Sequence, residues 1–222
     1  MKDIDLIVGP RVPQDLLKRE RKRFLLPTLF LGAAGLLLLI SIFLPYWKLT
    51  LFAPQYPSGL QMKVYINRVE GDVKEIDTLN HYIGMRSLTE AASLERTLSI
   101  VMVVAIGLLV IAAIYLHSPA AAVFALPAFF YPFIFLGDLY FWMWNFGTHL
   151  DPRAPLSNAI KPFVPPLLGE GMVGQFKTIA SWEIGLWLVF LASVLILVGL
   201  YYHRKAYKPL LEEQFKKEIS ES

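Results

Sequence analysis

Histidine and methionine are concentrated in two connections between long apolar stretches of the chain. Residues 75–90 read EIDTLNHYIGMRSLTE and hold His81 and Met85, while Met62 and His149 also lie in these connections. Thioether sulfur combined with imidazole suits Cu(I), whereas methionine is a poor ligand for zinc, calcium or magnesium. We therefore predict a copper site whose candidate ligands are His81, Met85 and His149, with Met62 as a further member.

The local spacing of HYIGM leaves two alternatives open. In a helix, His81 and Met85 are four residues apart and share a face. Gly84 and the capping-box spacing of Ser87 and Glu90 favour a tight loop instead. In a structural alternative, Met85 fills a core, as methionine commonly does, and His81 bonds a backbone carbonyl.

Two acidic residues lie in or beside apolar stretches, where charge is costly and tends to be functional. Asp138 is in FLGDLYFW, and Glu183 opens the last apolar stretch. They are candidates for an ion or proton path, or for binding a cation. In the alternative interpretation, Asp138 bonds a neighbouring helix and Glu183 benefits from the positive end of a helix.

The composition excludes several classes of function. The 222 residues include no cysteine, which excludes disulfides, zinc–thiolate sites, iron–sulfur clusters and c-type haem attachment. No phosphate loop, dinucleotide fingerprint, HExxH pair or nucleophile elbow is present, so no enzyme is predicted. The net charge is only +3 and the basic clusters flank apolar stretches, which argues against a nucleic-acid partner.

His117 and His203 follow apolar stretches and are interpreted as interfacial anchors; a bis-histidine haem is the alternative.

Hydropathy predicts an all-α integral membrane protein with four transmembrane helices and a small mixed β and irregular extracytoplasmic cap, because about 20 apolar residues cross a bilayer. No cleavable signal peptide is expected, since the first apolar stretch is too long and begins too late. The predicted segments are a basic cytoplasmic segment 1–23, helices 24–44, 98–116, 120–142 and 182–202, outer connections 45–97 and 143–181, and a cytoplasmic tail 203–222.

Lysine and arginine set the predicted orientation. Both termini are rich in them, with five clustered just before the first span. The positive-inside rule then places both termini in the cytoplasm and the chain in the cytoplasmic (inner) membrane. The tryptophans near span ends, Trp47, Trp142, Trp144 and Trp182, are interpreted as an aromatic belt.

The outer connections have different patterns. WKLTLFA and LQMKVYI alternate apolar and polar residues around a turn-like segment, which predicts a β hairpin. A helix is expected to begin near Leu88 and to continue into the second span. The second connection is rich in proline and glycine but also in apolar residues, which predicts an ordered, irregular loop packed against the first connection.

The phrases APQYPSGL, VEGDVKEIDTLNHYIGM and FGTHLDPRAPL with KPFVPPLLG resemble the NosB-like four-span accessory proteins of clade II nitrous-oxide reductase systems. The resemblance covers both connections and the span pattern. It implies a role in denitrification, in assembling, supplying or delivering electrons to a copper enzyme of a respiratory chain. It assigns no ligand role to His81 or Met85.

The functional expectation is a membrane accessory protein of an extracytoplasmic copper-enzyme system that handles Cu(I) or docks the copper enzyme. Its partners would be the lipid bilayer and a membrane or periplasmic protein of that system. The alternative is a structural or quinol-linked electron-transfer subunit, in which Asp138 and Glu183 handle protons.

Overall fold

The structure is a computed structural model that describes residues 8–10, 12–156, 159–173 and 176–221, without the side chains of residues 217, 218 and 221. The basic residues Lys2 and Arg11 of the predicted cytoplasmic segment lie outside the described residues. The helices are α1 Gln14–Arg19, α2 Arg21–Ser41, α3 Val73–Ile83, α4 Ser93–Ala113, α5 Ala120–Thr148 and α6 Ile184–Glu221. The strands are β1 Trp47–Ala53, β2 Tyr56–Val64, β3 Val69–Gly71, β4 Gly169–Val173 and β5 Phe176–Trp182.

Four of these helices are long and apolar enough to cross a membrane: Arg21–Ser41, Ser93–Ala113, Ala120–Thr148 and Ile184–Lys216. At this level the prediction of four apolar helices is confirmed. The third runs six residues past the predicted end at residue 142, to Thr148, and α6 continues without a break into the predicted tail, as far as Glu221. Helix α4 begins at Ser93, not near Leu88.

The chain divides into two compact units. The first, which we call the helical unit, comprises Met1–Ile40, Met102–Pro132 and Leu188–Ser222. Its helices approach each other through small residues: a Cβ at Gly35 would lie 3.3 Å from Ile111, and one at Gly199 would lie 3.0 Å from Leu31. The Ser193 hydroxyl of α6 lies 3.0 Å from the carbonyl of Phe129 in α5. Small residues and interhelical hydroxyl bonds are the usual packing devices of membrane helices.

The second unit, the sheet unit, comprises Ser41–Val101 and Phe133–Trp187. Its antiparallel sheet has the strand order β3-β2-β1-β5-β4. The predicted hairpin is confirmed as β1 and β2, with Leu51 opposite Leu60. The second connection supplies β4 and β5, and β5 pairs with β1 so that Thr178 lies opposite Leu51. The two connections therefore meet, as predicted, but through a continuous sheet and not through an irregular loop alone.

One apolar core joins the sheet to the helices of this unit. It contains Trp47 from β1, Met62 from β2, Ile76 from α3 and Phe146 from α5, each at most 1% exposed. Complete burial of Trp47 corrects its interpretation as an aromatic-belt residue. Its indole N–H donates to the carbonyl of Leu167 at 2.8 Å, which satisfies the polar atom of a large buried side chain.

Candidate functional site

The two connections are joined by a short backbone seam, which we define as residues 81–84 and 149–156. The Asp151 N–H donates to the Gly84 carbonyl at 2.8 Å, and the Leu156 N–H donates to the Tyr82 carbonyl at 3.0 Å. Residues predicted as candidate ligands from separate connections therefore belong to adjoining segments. The seam is the region in which the sequence motif HYIGM meets THLDPR.

Helix α3 decides the conformation of HYIGM. His81 lies in its last turn, and Gly84 ends the helix with φ 80° and ψ 12°. This left-handed conformation favours glycine because a Cβ is poorly tolerated there. A Cβ at Gly84 would also lie 2.6 Å from the Asp151 carbonyl oxygen. The tight loop favoured by the sequence pattern is thus a helix end, and helix 73–83 itself was not predicted.

Asp77 organises the segment that follows. Its carboxylate accepts the Ser87 hydroxyl at 2.5 Å and the Leu88 N–H at 2.7 Å. Ser87 is therefore engaged with α3 and does not form the predicted capping box with Glu90. This is why α4 starts later than the pattern indicates.

The candidate copper ligands differ in exposure. Met62 and Met85 are 1% and 7% exposed and belong to one apolar core. His81 and His149 are exposed. Met143, which was not among the predicted ligands, is buried in the same core as Met62 and Met85.

The His149 ring has one nitrogen left for a ligand. Its Nδ1 lies 3.0 Å from the Asn145 carbonyl and 3.1 Å from the Thr148 hydroxyl, and because a carbonyl only accepts, Nδ1 is the donor to it. In the neutral ring this tautomer leaves the Nε2 lone pair for a metal ion. The ring also packs edge-on against Trp144, with centroids 5.6 Å apart.

Among the described residues, no group of three or more histidine, aspartate or glutamate side chains lies close enough together to hold a metal ion. Thioether sulfur from Met62, Met85 and Met143 is a further ligand type in this unit. Thioethers select Cu(I) among the common metals, so the ligand chemistry predicted from sequence and the buried methionines are compatible. The candidate set remains a prediction.

Asp138 and Glu183 have different surroundings. Asp138 is half-buried in α5, with Glu95 as its charged neighbour. The Trp142 indole, one turn further along α5, lies near this carboxyl, but its N–H completes no hydrogen bond of normal geometry among the described residues. The Asp138 carboxyl therefore has the Glu95 charge and the Trp142 indole N–H in its surroundings.

Glu183 fits the structural alternative. Its carbonyl accepts the N–H groups of Leu186 and Trp187 at the start of α6, and its own N–H donates to Tyr46. A carboxylate at this position interacts favourably with the helix dipole.

A surface cavity of about 350 Å³ adjoins the seam. Leu156 and Met172 line it together with Lys161 and Phe163. Leu156 is 39% exposed and Met172 is 53% exposed. The lining is about half polar, and exposed aliphatic and thioether side chains beside polar groups are typical of sites that bind another protein.

At the opposite end of the sheet order, a charged pair closes the β2–β3 turn. The Arg68 Nε–H donates to the Glu70 carboxylate at 2.5 Å, and the guanidinium lies 3.9 Å from the centroid of the Tyr65 ring. The hydrogen bond from Arg68 lowers the pKa of Glu70 from its ordinary value. Partial burial is the larger of two causes that raise the pKa of Tyr65, and the hydrogen bond to Glu70 is the second.

Three residues that order the sheet unit were not predicted to do so: Trp47, Asp77 and Gly147, whose carbonyl accepts the Phe163 N–H at 3.0 Å. The signal for Trp47 was present, since alternation in WKLTLFA places it on the same strand face as Leu49 and Leu51. No local sequence pattern marks Asp77 or Gly147 as a structural residue, because their hydrogen-bond partners lie ten or more residues further along the chain.

Comparison with protein-family models, with curated proteins and with solved structures finds no match to this chain. The resemblance to NosB-like proteins therefore stays an expectation from the quoted phrases.

Proposed function

We propose that the chain is a membrane-anchored accessory protein whose sheet unit docks a copper enzyme outside the cytoplasmic membrane. The observation that carries the proposal is the seam: two distant connections fold into one ordered unit that presents Leu156 and Met172 around a cavity of about 350 Å³. The four apolar helices support membrane anchoring. The clustering of lysine and arginine near both termini supports an outward sheet unit.

Orientation is tested by cysteine labelling, for which the absence of native cysteine makes the chain well suited. Met172→Cys is expected to react with a membrane-impermeant maleimide in intact cells, whereas Lys208→Cys should react only after the cells are opened. The reverse labelling pattern would place the sheet unit in the cytoplasm and reject an extracytoplasmic partner.

Docking is tested with purified clade II nitrous-oxide reductase, the enzyme class that the resemblance implies. We expect Leu156→Glu with Met172→Glu to weaken the complex at least tenfold, because the charges replace the two exposed apolar side chains that line the proposed docking surface. Tyr56→Glu, at a similarly exposed residue at the start of β2, is the matched control. Equal binding by the double variant and the wild type would reject this docking surface.

Handling of Cu(I) is the second candidate. It is favoured by the presence of three methionines, Met62, Met85 and Met143, in one buried core, beside the segments that carry His81 and His149. A Cu(I) competition titration with a chromophoric chelator should detect one equivalent in the wild type.

The ligand set is tested by substitutions that preserve volume. Met62→Leu, Met85→Leu and Met143→Leu keep the core packed, since Leu and Met exchange at small cost. Loss of copper from these variants at unchanged thermal stability would identify the thioethers as ligands, and His81→Ala and His149→Ala test the imidazoles. If the wild type binds no Cu(I), the docking role stands alone.

A further inference from the structure

A recess of about 640 Å³ lies along α6 in the helical unit. Its other wall includes Ser118, in the turn before α5, and Ala122, in the first turn of α5. Ten α6 residues line the recess, and six of them are spaced alternately four and three apart, so that these six form one helix face. The six are Leu197, Tyr201, Arg204, Lys208, Leu211 and Phe215.

This face changes character along its length. Apolar side chains lie at its start, where Leu197 is 52% and Tyr201 is 64% exposed. Two cations, Arg204 and Lys208, follow one turn apart, and Leu211 and Phe215 close the other end. At 1.5 Å per residue, the face is roughly 27 Å long, which is more than a small compact ligand needs.

The middle of the recess favours an anion. Arg204 and Lys208 contribute two positive charges, and the only carboxylate that the structure assigns to its wall is Glu212, which lies 3.4 Å from the Lys208 ammonium. The 29-residue helix α5 begins beside it at Ala120, so the positive end of that helix dipole adds to the cationic side chains.

The floor of the recess is already ordered. The His117 ring stacks on Tyr207, with centroids 4.3 Å apart and planes 6° apart. His117 Nδ1–H donates to the carbonyl of Pro10, and His203 Nε2–H donates to the carbonyl of Leu116. Both rings are thus held by backbone acceptors, and a ligand finds a preformed aromatic surface.

We propose that this recess binds one anionic phospholipid. The phosphate would lie between Arg204, Lys208 and the start of α5, and an acyl chain would lie along Leu197 and Tyr201. The inference rests on the membrane placement in the proposed function and not on partner docking. The predicted cytoplasmic side of the membrane carries anionic lipid and attracts such cations.

The test is native mass spectrometry of the full chain purified in detergent, titrated with dioleoyl phosphatidylglycerol or dioleoyl phosphatidylcholine. The wild type is expected to retain one phosphatidylglycerol with roughly tenfold preference, and Arg204→Gln with Lys208→Gln should abolish that preference. Lys22→Gln with Lys205→Gln is the matched control, because it removes the same charge from exposed residues that do not line the recess. Equal retention of the two lipids by the wild type, or equal loss in both double variants, would overturn the proposal.

A second variant tests the location without changing charge. Ala122 is exposed on the wall of the recess, so Ala122→Trp is expected to fill it and to reduce retention of phosphatidylglycerol at least fivefold, at an unchanged thermal midpoint. Retention at the wild-type level would show that the lipid binds elsewhere.

Two further experiments distinguish a lipid site from a soluble phosphate site and from the proposed docking surface. Glycerol 3-phosphate supplies the headgroup without chains and should leave the lipid bound; complete displacement at equal concentration would identify a soluble phosphate site instead. The docking variant Leu156→Glu with Met172→Glu should retain lipid as the wild type does. Loss of lipid in that variant would contradict the independence of the two sites.

Discussion

The helices of the helical unit and the segments of the sheet unit use glycine in different ways. In the α2 and α4 helices, a Cβ added at Gly35 or Gly107 would first meet a side chain, at 3.3 Å or more. In the sheet unit, a Cβ at Gly147 would lie 2.0 Å from the Phe163 carbonyl oxygen, and one at Gly84 would lie 2.6 Å from that of Asp151. Flexible side chains can move by a few tenths of an ångström, whereas a hydrogen-bonded backbone cannot. The sheet unit is therefore specified at single residues, whereas the helix–helix contacts of the helical unit are specified by composition and shape. Gly9, which lies outside those helices, is the exception, since its Cβ would lie 2.7 Å from the His117 backbone.

The strongest test of this difference is Gly147→Ala. Phe163 donates its N–H to the Gly147 carbonyl at 3.0 Å, so the added methyl group separates two segments that are in direct backbone contact. We expect a loss of about 3 kcal/mol, at the upper end for overpacking, measured as a lower thermal midpoint in detergent. Gly137→Ala is the control in the same helix, because nothing lies within 4 Å of its Cβ position. Similar midpoints for the two variants would contradict the proposed backbone contact.

Gly84→Ala should have the next largest effect. It imposes a side chain on a left-handed residue and brings a methyl group against Asp151, so we expect a loss of about 2 kcal/mol. Limited proteolysis should show faster cleavage within residues 149–156 than in the wild type, because the seam opens locally. Uniform acceleration along the whole chain would indicate general destabilisation and would not support a local seam.

Gly107→Ala tests the same contrast in the helical unit, where we expect an added methyl group to be tolerated. The nearest atom to its added Cβ would be a Leu39 side-chain carbon at 3.4 Å, an ordinary contact distance. Alanine also has the higher helix propensity, so the thermal stability should change by less than about 1 kcal/mol. A loss as large as that of Gly147→Ala would show that the two units do not differ in this way.

These contrasts explain which features were predictable from sequence. Four apolar helices follow from local hydropathy, and the β1–β2 hairpin follows from alternation around a turn, so both were predicted. Strands β4 and β5 were missed, because GEGMV and FKTIASW are short and β5 is stabilised by pairing with β1, more than 120 residues earlier. Helix α3 was missed although Val73, Ile76 and Ile83 recur at helical spacing, because Gly84 and the capping-box spacing at Ser87 favoured a tight loop.

The candidate site shows the same division. Ligand chemistry selected His81, Met85, His149 and Met62 by residue type, and the seam does bring their two connections together. Residue type did not predict which of these side chains are exposed to solvent. Met85 follows the end of α3 and is buried in the core, whereas His81 lies one turn earlier on the exposed side of α3. Whether a side chain faces the core depends on the docking of α3, which no pattern within the motif specifies.

The smallest expected effect concerns the Arg68–Glu70 pair at the sheet edge. Because the hydrogen bond from Arg68 lowers the pKa of Glu70 below 4.5, its stabilising contribution is present above the unfolded-state pKa. That contribution is lost as the pH falls through the lower folded-state value. The midpoint difference between wild type and Glu70→Gln should therefore be small at pH 7 and should shrink below about pH 4. Both side chains are more than two-fifths exposed, so salt should reduce the difference further. A difference as large as that of Gly84→Ala would mean that side-chain charge contributes to the sheet register as much as backbone contact does, contrary to the contrast between the units.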